Sequence, residues 1–181
     1  AAACVVAGLL LAATLIPTSS QQSWQARLAD AHSVLAQETF VIDAERSLPL
    51  VSSRRLNDFP VPDLSASRLF LVATRSQQVE ESEQLVMHYR GLNGCRLTVA
   101  AFAPLAEAAA EDDGWQPDQD FLFSSWTQGT LGFAVIADGM DEDRFRSIAA
   151  YVKATIEMGT RPKSPLRTAM AETTESARPC A

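Results

Sequence analysis

The sequence predicts an α+β fold: an antiparallel meander sheet of about five strands, packed by an N-terminal and a C-terminal helix and preceded by an apolar helix of transmembrane type. Three observations carry this. Two hairpin patterns follow one another, over residues 85–102 and 121–137. Amphipathic helical spacing flanks them, over 24–40 and 141–157. An uncharged run, AAACVVAGLLLAATLI, opens the chain.

The run from Ala1 to Ile16 ends at Pro17, before the polar stretch Thr18 to Gln22. As a helix it would span roughly 24 Å, against a hydrocarbon core of about 30 Å. It fits a transmembrane helix continued upstream; a signal-peptide core and a buried helix are the alternatives. Ala1 already lies inside the run, so the chain is expected to lack its true N-terminus. The expected division is a transmembrane segment at 1–17, an α+β domain at 18–158, and a disordered tail at 159–181. Arg27 is the first base after Pro17, and that scarcity favours the outer side for the domain.

Composition narrows the function. The 181 residues are 47% hydrophobic and 20% charged, enough apolar surface for a core. The net charge of −7 would repel a phosphate backbone, so no nucleic-acid partner is expected. Two histidines and three cysteines are scattered along the chain. An odd cysteine count argues against a disulfide framework. A Cys95–Cys180 pairing stays open, with little in the sequence to favour it.

The elements follow in order. Ser23 is an N-cap candidate for the first helix, with Trp24, Leu28, Ala31 and Leu35 on one stripe. A short helical turn is expected near Leu48 to Leu56, stopped by Asn57-Asp58-Phe59-Pro60. Arg68 to Arg75 and Leu85 to Arg90 read as strands. Gly91-Leu92-Asn93-Gly94 turns into a third strand, Cys95 to Phe102. An acidic loop follows, with Glu107, Glu111, Asp112, Asp113, Asp118 and Asp120 and no base between them. Phe121 to Thr127 and Leu131 to Ala137 form the second hairpin about Gln128-Gly129. The last helix has Asp141 as N-cap, acids Glu142 and Asp143 in its first turn, and a stripe of Phe145, Ile148, Ala149, Val152 and Ile156. Gly159 ends it. The tail carries Pro162, Pro165 and Pro179.

Chemistry is sparse. His32 has no metal-ligand partner at helical spacing, and packing or hydrogen bonding at an interface is the simpler role. His88 alternates on a strand with Val86 and Arg90 and reads as structural or exposed. No strand–Gly-x-Ser-x-Gly–helix elbow, P-loop or calcium loop is present. Trp115 and Trp126 read as core aromatics. The chain is expected not to be an enzyme, with no catalytic, cofactor-binding or metal-ligating residues.

The ordered segments resemble the extracytoplasmic half of bacterial transmembrane anti-sigma factors. The resemblance lies in the pair Ala31-His32 followed by Glu38, and in Ser53-Arg54-Arg55-Leu56 followed by Pro62-Asp63-Leu64-Ser65. It continues through Arg96-Leu97-Thr98 and a hairpin with Trp126, Gly129, Gly132 and Phe133-Ala134, to the acid-started helix from Asp141. It covers about residues 1 to 157, in order, and the order carries more weight than any one motif. Leu35 stands where that family usually has an aromatic, and the tail beyond Gly159 is longer than the resemblance leads one to expect.

The resemblance implies the anchor and outer sensor or protection domain of a regulator in the bacterial inner membrane. It implies transcriptional control through a sigma factor, bound by a cytoplasmic domain that is missing here and that normally holds zinc. No cofactor is implied in this chain; the membrane and an envelope protease are further implied partners. The alternative is an exported periplasmic binding or assembly module behind a signal peptide.

Overall fold

A computed structural model describes residues 24–42, 60–79, 82–103, 115–117, 121–159 and 164–180. Six strands form one antiparallel sheet: β1 (Leu69–Val79), β2 (Ser82–Gly91), β3 (Arg96–Phe102), β4 (Trp115–Pro117), β5 (Leu122–Gln128) and β6 (Leu131–Asp138). Their order is β1-β2-β3-β6-β5-β4. The fold is thus α+β with an antiparallel sheet, as the tandem hairpins indicate. The single meander is corrected, because β3 pairs with β6 and not with its chain neighbour. Two three-stranded meanders abut along their last strands. The short edge strand β4 falls in the stretch read as an acidic loop.

Alternation along β3 separates two cores. Val99 and Ala101 face a cluster with Phe133, Val135, Phe145, Ile148, Val152 and Met170. Ala100 and Phe102 face the other side, with Trp24, Leu28, Phe123, Ala134 and Ile136. The helix α1 (Trp24–Gln37) covers the second face, while α2 (Glu142–Met158) and α3 (Ser164–Ser176) belong to the first. The N-terminal helix and the last two helices therefore lie on opposite faces of the sheet. The central strands are buried on both sides, which is why β6 is continuously buried from Gly132 to Ala137.

Helix α2 forms as its sequence directs. Asp141 Oδ1 accepts from the Asp143 and Arg144 backbone N–H groups, and Gly159 closes the helix at φ 63°. Helix α1 stops at Gln37, short of Phe40, and its buried stripe is Trp24, Leu28, His32 and Leu35. His32 occupies the slot expected for Ala31.

The tail is the largest correction. Residues 164–176 form a helix, not a disordered segment, and Met170 is fully buried. A disulfide joins Cys95, just before β3, to Cys180, 85 residues on. Three prolines suggested disorder, but a buried methionine and a covalent tie offset the ordering cost. Among the described residues no helix is long and apolar enough to cross a membrane. The 1–17 run, the Ser23 cap, the turn near Leu48 and the motif Ser53 to Leu56 lie outside the described residues.

Candidate functional site

Under α1 the sheet carries a group of buried polar side chains. In register, His88 of β2 faces Thr98 of β3, and Arg96 of β3 faces Asp138 of β6. Helix α1 lowers His32 onto this patch. His32 Nδ1 lies 2.7 Å and His88 Nδ1 2.8 Å from Thr98 Oγ1. His32 Nε2 stands 3.6 Å from Asp138 Oδ1, which Arg96 Nε approaches to 3.0 Å. His32, His88 and Thr98 have no exposed surface.

One hydroxyl between two rings constrains both. Thr98 has a single proton, so it donates to at most one imidazole and accepts from any ring that donates to it, which couples the two tautomers. His32 Nε2 meets Asp138 Oδ1 only at ion-pair range, too far for a hydrogen bond. His32 Nε2 and His88 Nε2 are both buried with no hydrogen-bond partner among the described residues. Burial chiefly, then the charges of His32 and Arg90, push the His88 pKa down from 6.5 to about 3. Burial pushes the Asp138 carboxyl up, but the neighbouring His32 and Arg96 outweigh it and hold it below its ordinary value.

Aromatic rings and a cation close the patch. Phe121 meets His32 edge-on at 5.6 Å, and Phe40 lies 5.7 Å from His88. Arg90 sits 5.6 Å over the Phe40 ring. Its guanidinium donates to the carbonyls of Leu35, Ala36 and Glu38 at 3.1, 2.6 and 2.9 Å. These are carbonyls at the C-terminal end of α1, where a cation also meets the negative end of the helix dipole. Asp138, His32 and Thr98 follow the order carboxylate, imidazole, hydroxyl of a nucleophilic triad. Thr98 has no solvent-facing surface and its hydroxyl also serves His88, so no position is open for a substrate atom.

The motif residues divide between this patch and the scaffold. His32 is central to it, with Ala31 beside it on α1 and half-buried. Glu38 gives its carbonyl to Arg90 and pairs through its carboxylate with Arg75 at 2.6 Å. The others are structural. Pro62 accepts the Tyr89 hydroxyl at 2.9 Å, Asp63 caps the Ser65 N–H at 3.1 Å, and Leu64 is buried core. Trp126 stacks on Phe133 at 5.6 Å, Gly129 turns the hairpin at φ 61°, and Gly132 makes room for the Phe102 ring. The sequence reading did not assign the roles of Thr98, Asp138, Arg90 and Arg96. Strand alternation was the available signal, since it puts Thr98 on the face of Ala100 and Phe102. Among the described residues no group of three or more His, Cys, Asp or Glu side chains could hold a metal ion. No family model, curated protein or solved structure matches the chain.

Proposed function

We propose that this chain is the anchor and extracytoplasmic sensor domain of an anti-sigma-factor-like regulator of the bacterial inner membrane. The observation that carries the reading is the Cys95–Cys180 disulfide, which ties the tail to the sheet. Such bonds persist in oxidising compartments and are rare in the cytosol. The motif order from Ala31-His32 to the Asp141 helix supports the family. The patch under α1 supplies a physical logic: a helix seated on the sheet by a small apolar cluster, one hydroxyl and one arginine can be released as a unit. Release of α1 would be the step that makes the chain a substrate of an envelope protease, since local opening governs cleavage. Sigma-factor binding is then the work of a zinc-holding cytoplasmic domain.

Deleting the gene should raise transcription from the promoters of one extracytoplasmic-function sigma factor. No change in any sigma-dependent set of transcripts would overturn the reading. In the full-length protein, Phe145→Asp places a charge in the core and should increase cleavage. A second reading, an exported binding or assembly module, is favoured by a cleft of about 230 Å³ beside the disulfide. It requires deletion to leave sigma-dependent transcription unchanged.

A further inference from the structure

We propose that the cleft beside the Cys95–Cys180 disulfide binds a phosphate dianion, free or as the head of a small monoester. Arg68, Arg144 and Arg178 line it against one carboxylate, Glu175. Three guanidiniums and one carboxylate leave a formal local charge of +2, on a chain whose net charge is −7. Guanidinium forks match the oxygens of a phosphate, and a monoester carries about −1.5 to −2 near neutral pH. At 230 Å³ the cleft is smaller than the usual range of about 300–1,000 Å³ for drug-sized ligands, so its occupant is small.

Two further observations point to an anion. Arg144 is only 5% exposed. It donates to Ser67 O at 2.7 Å and to the sulfurs of Cys95 and Cys180 at 3.0 and 3.4 Å. Its Nε is buried with no hydrogen-bond partner among the described residues. Burial, and next the charge of Arg68, lower the Arg144 pKa, with the Asp141 carboxylate offsetting part of this repulsion. Arg68 also holds a left-handed backbone, φ 55° and ψ 32°, and is the one non-glycine residue with positive φ among those described. That conformation favours glycine or asparagine, and a long cationic side chain is held there against the local preference. Neither Arg68 nor Arg178 forms an ion pair with a described residue. An anion would relieve the repulsion and occupy all three cations.

The test uses the full chain with its disulfide intact, titrated with inorganic phosphate and separately with glycerol 3-phosphate, and followed by phosphorus NMR and calorimetry. Saturable submillimolar binding of at least one ligand is expected; binding of the ester alone identifies a monoester. Arg178→Gln should weaken binding about tenfold or more, the loss of one charge-assisted contact. Arg68→Gly should weaken it likewise while leaving the thermal midpoint at or above that of the parent, because glycine takes the left-handed conformation freely. A purely structural Arg68 would give a lower midpoint with binding intact. That result, or no saturable binding of either ligand, overturns the proposal.

Discussion

His32 on α1 and His88 on β2 meet at one hydroxyl, with their Nδ1 atoms 2.7 and 2.8 Å from Thr98 Oγ1. The helix is therefore joined to the sheet through a polar contact that has no water to replace it. Removing the hydroxyl leaves two buried ring nitrogens unpaired, each costing about 1–3 kcal/mol. Thr98→Val, close to isosteric, should lower unfolding stability in urea by roughly 2–4 kcal/mol. Thr98→Ser keeps the hydroxyl and should cost less than half of that. Equal losses from the two variants would mean that packing, not the hydroxyl, matters there.

Acid should loosen the same patch. The native His88 pKa is about 3, whereas the unfolded chain binds that proton near 6.5. Between those values unfolding takes up a proton, so stability falls as pH drops through the window. The lowered Asp138 pKa acts in the same sense, with its contribution lost as pH falls through the native value. From about pH 7 to about pH 5, the His88 term alone is worth about 2 kcal/mol. His88→Leu should remove that part of the pH dependence when urea midpoints are compared at the two values.

Arg90 ties the sheet to the end of α1 through three carbonyls. Arg90→Met keeps an unbranched apolar side chain and removes the guanidinium with its donors. Amide exchange should accelerate in Leu35 to Glu38 with little change in α2. Stability should fall by about 1.5–3 kcal/mol, as for hydrogen bonds made by a charged group. Uniform acceleration across the chain would show that α1 does not open separately.

Gly132 is a packing position with a directional test. A Cβ there would run into the Phe102 ring. Gly132→Ala should destabilise by about 1–3 kcal/mol. Adding Phe102→Leu should recover part of the loss, a coupling that independent sites would not show.

Much of this architecture was legible because its signals are local. The Asp141 cap, the stripe from Phe145 to Ile156, the Gly159 stop and the two hairpin turns are each written within a few residues. The pairing of β3 with β6 was not legible, since it depends on long-range packing and not on the turns that set hairpins. Helix α3 was hidden for a related reason: its one fully buried side chain, Met170, gives no periodic stripe, and Cys180 acquires its partner only in three dimensions. The polar patch was half legible. His32 falls near the apolar stripe of Trp24, Leu28 and Leu35, but Thr98 and Asp138 become its partners only once β2, β3 and β6 are in register.

The disulfide gives the most direct test of an extracytoplasmic domain. Cys4→Ser leaves Cys95 and Cys180 as the remaining thiols of residues 1–181. Intact cells expressing residues 1–181 with this substitution are acid-quenched and the protein is treated with a maleimide polymer under denaturing conditions. No gel shift before reductant and a double shift after it is the expected result, with a stability loss of about 2–5 kcal/mol on reduction. Full labelling of both cysteines without reductant would contradict the assignment to an oxidising compartment.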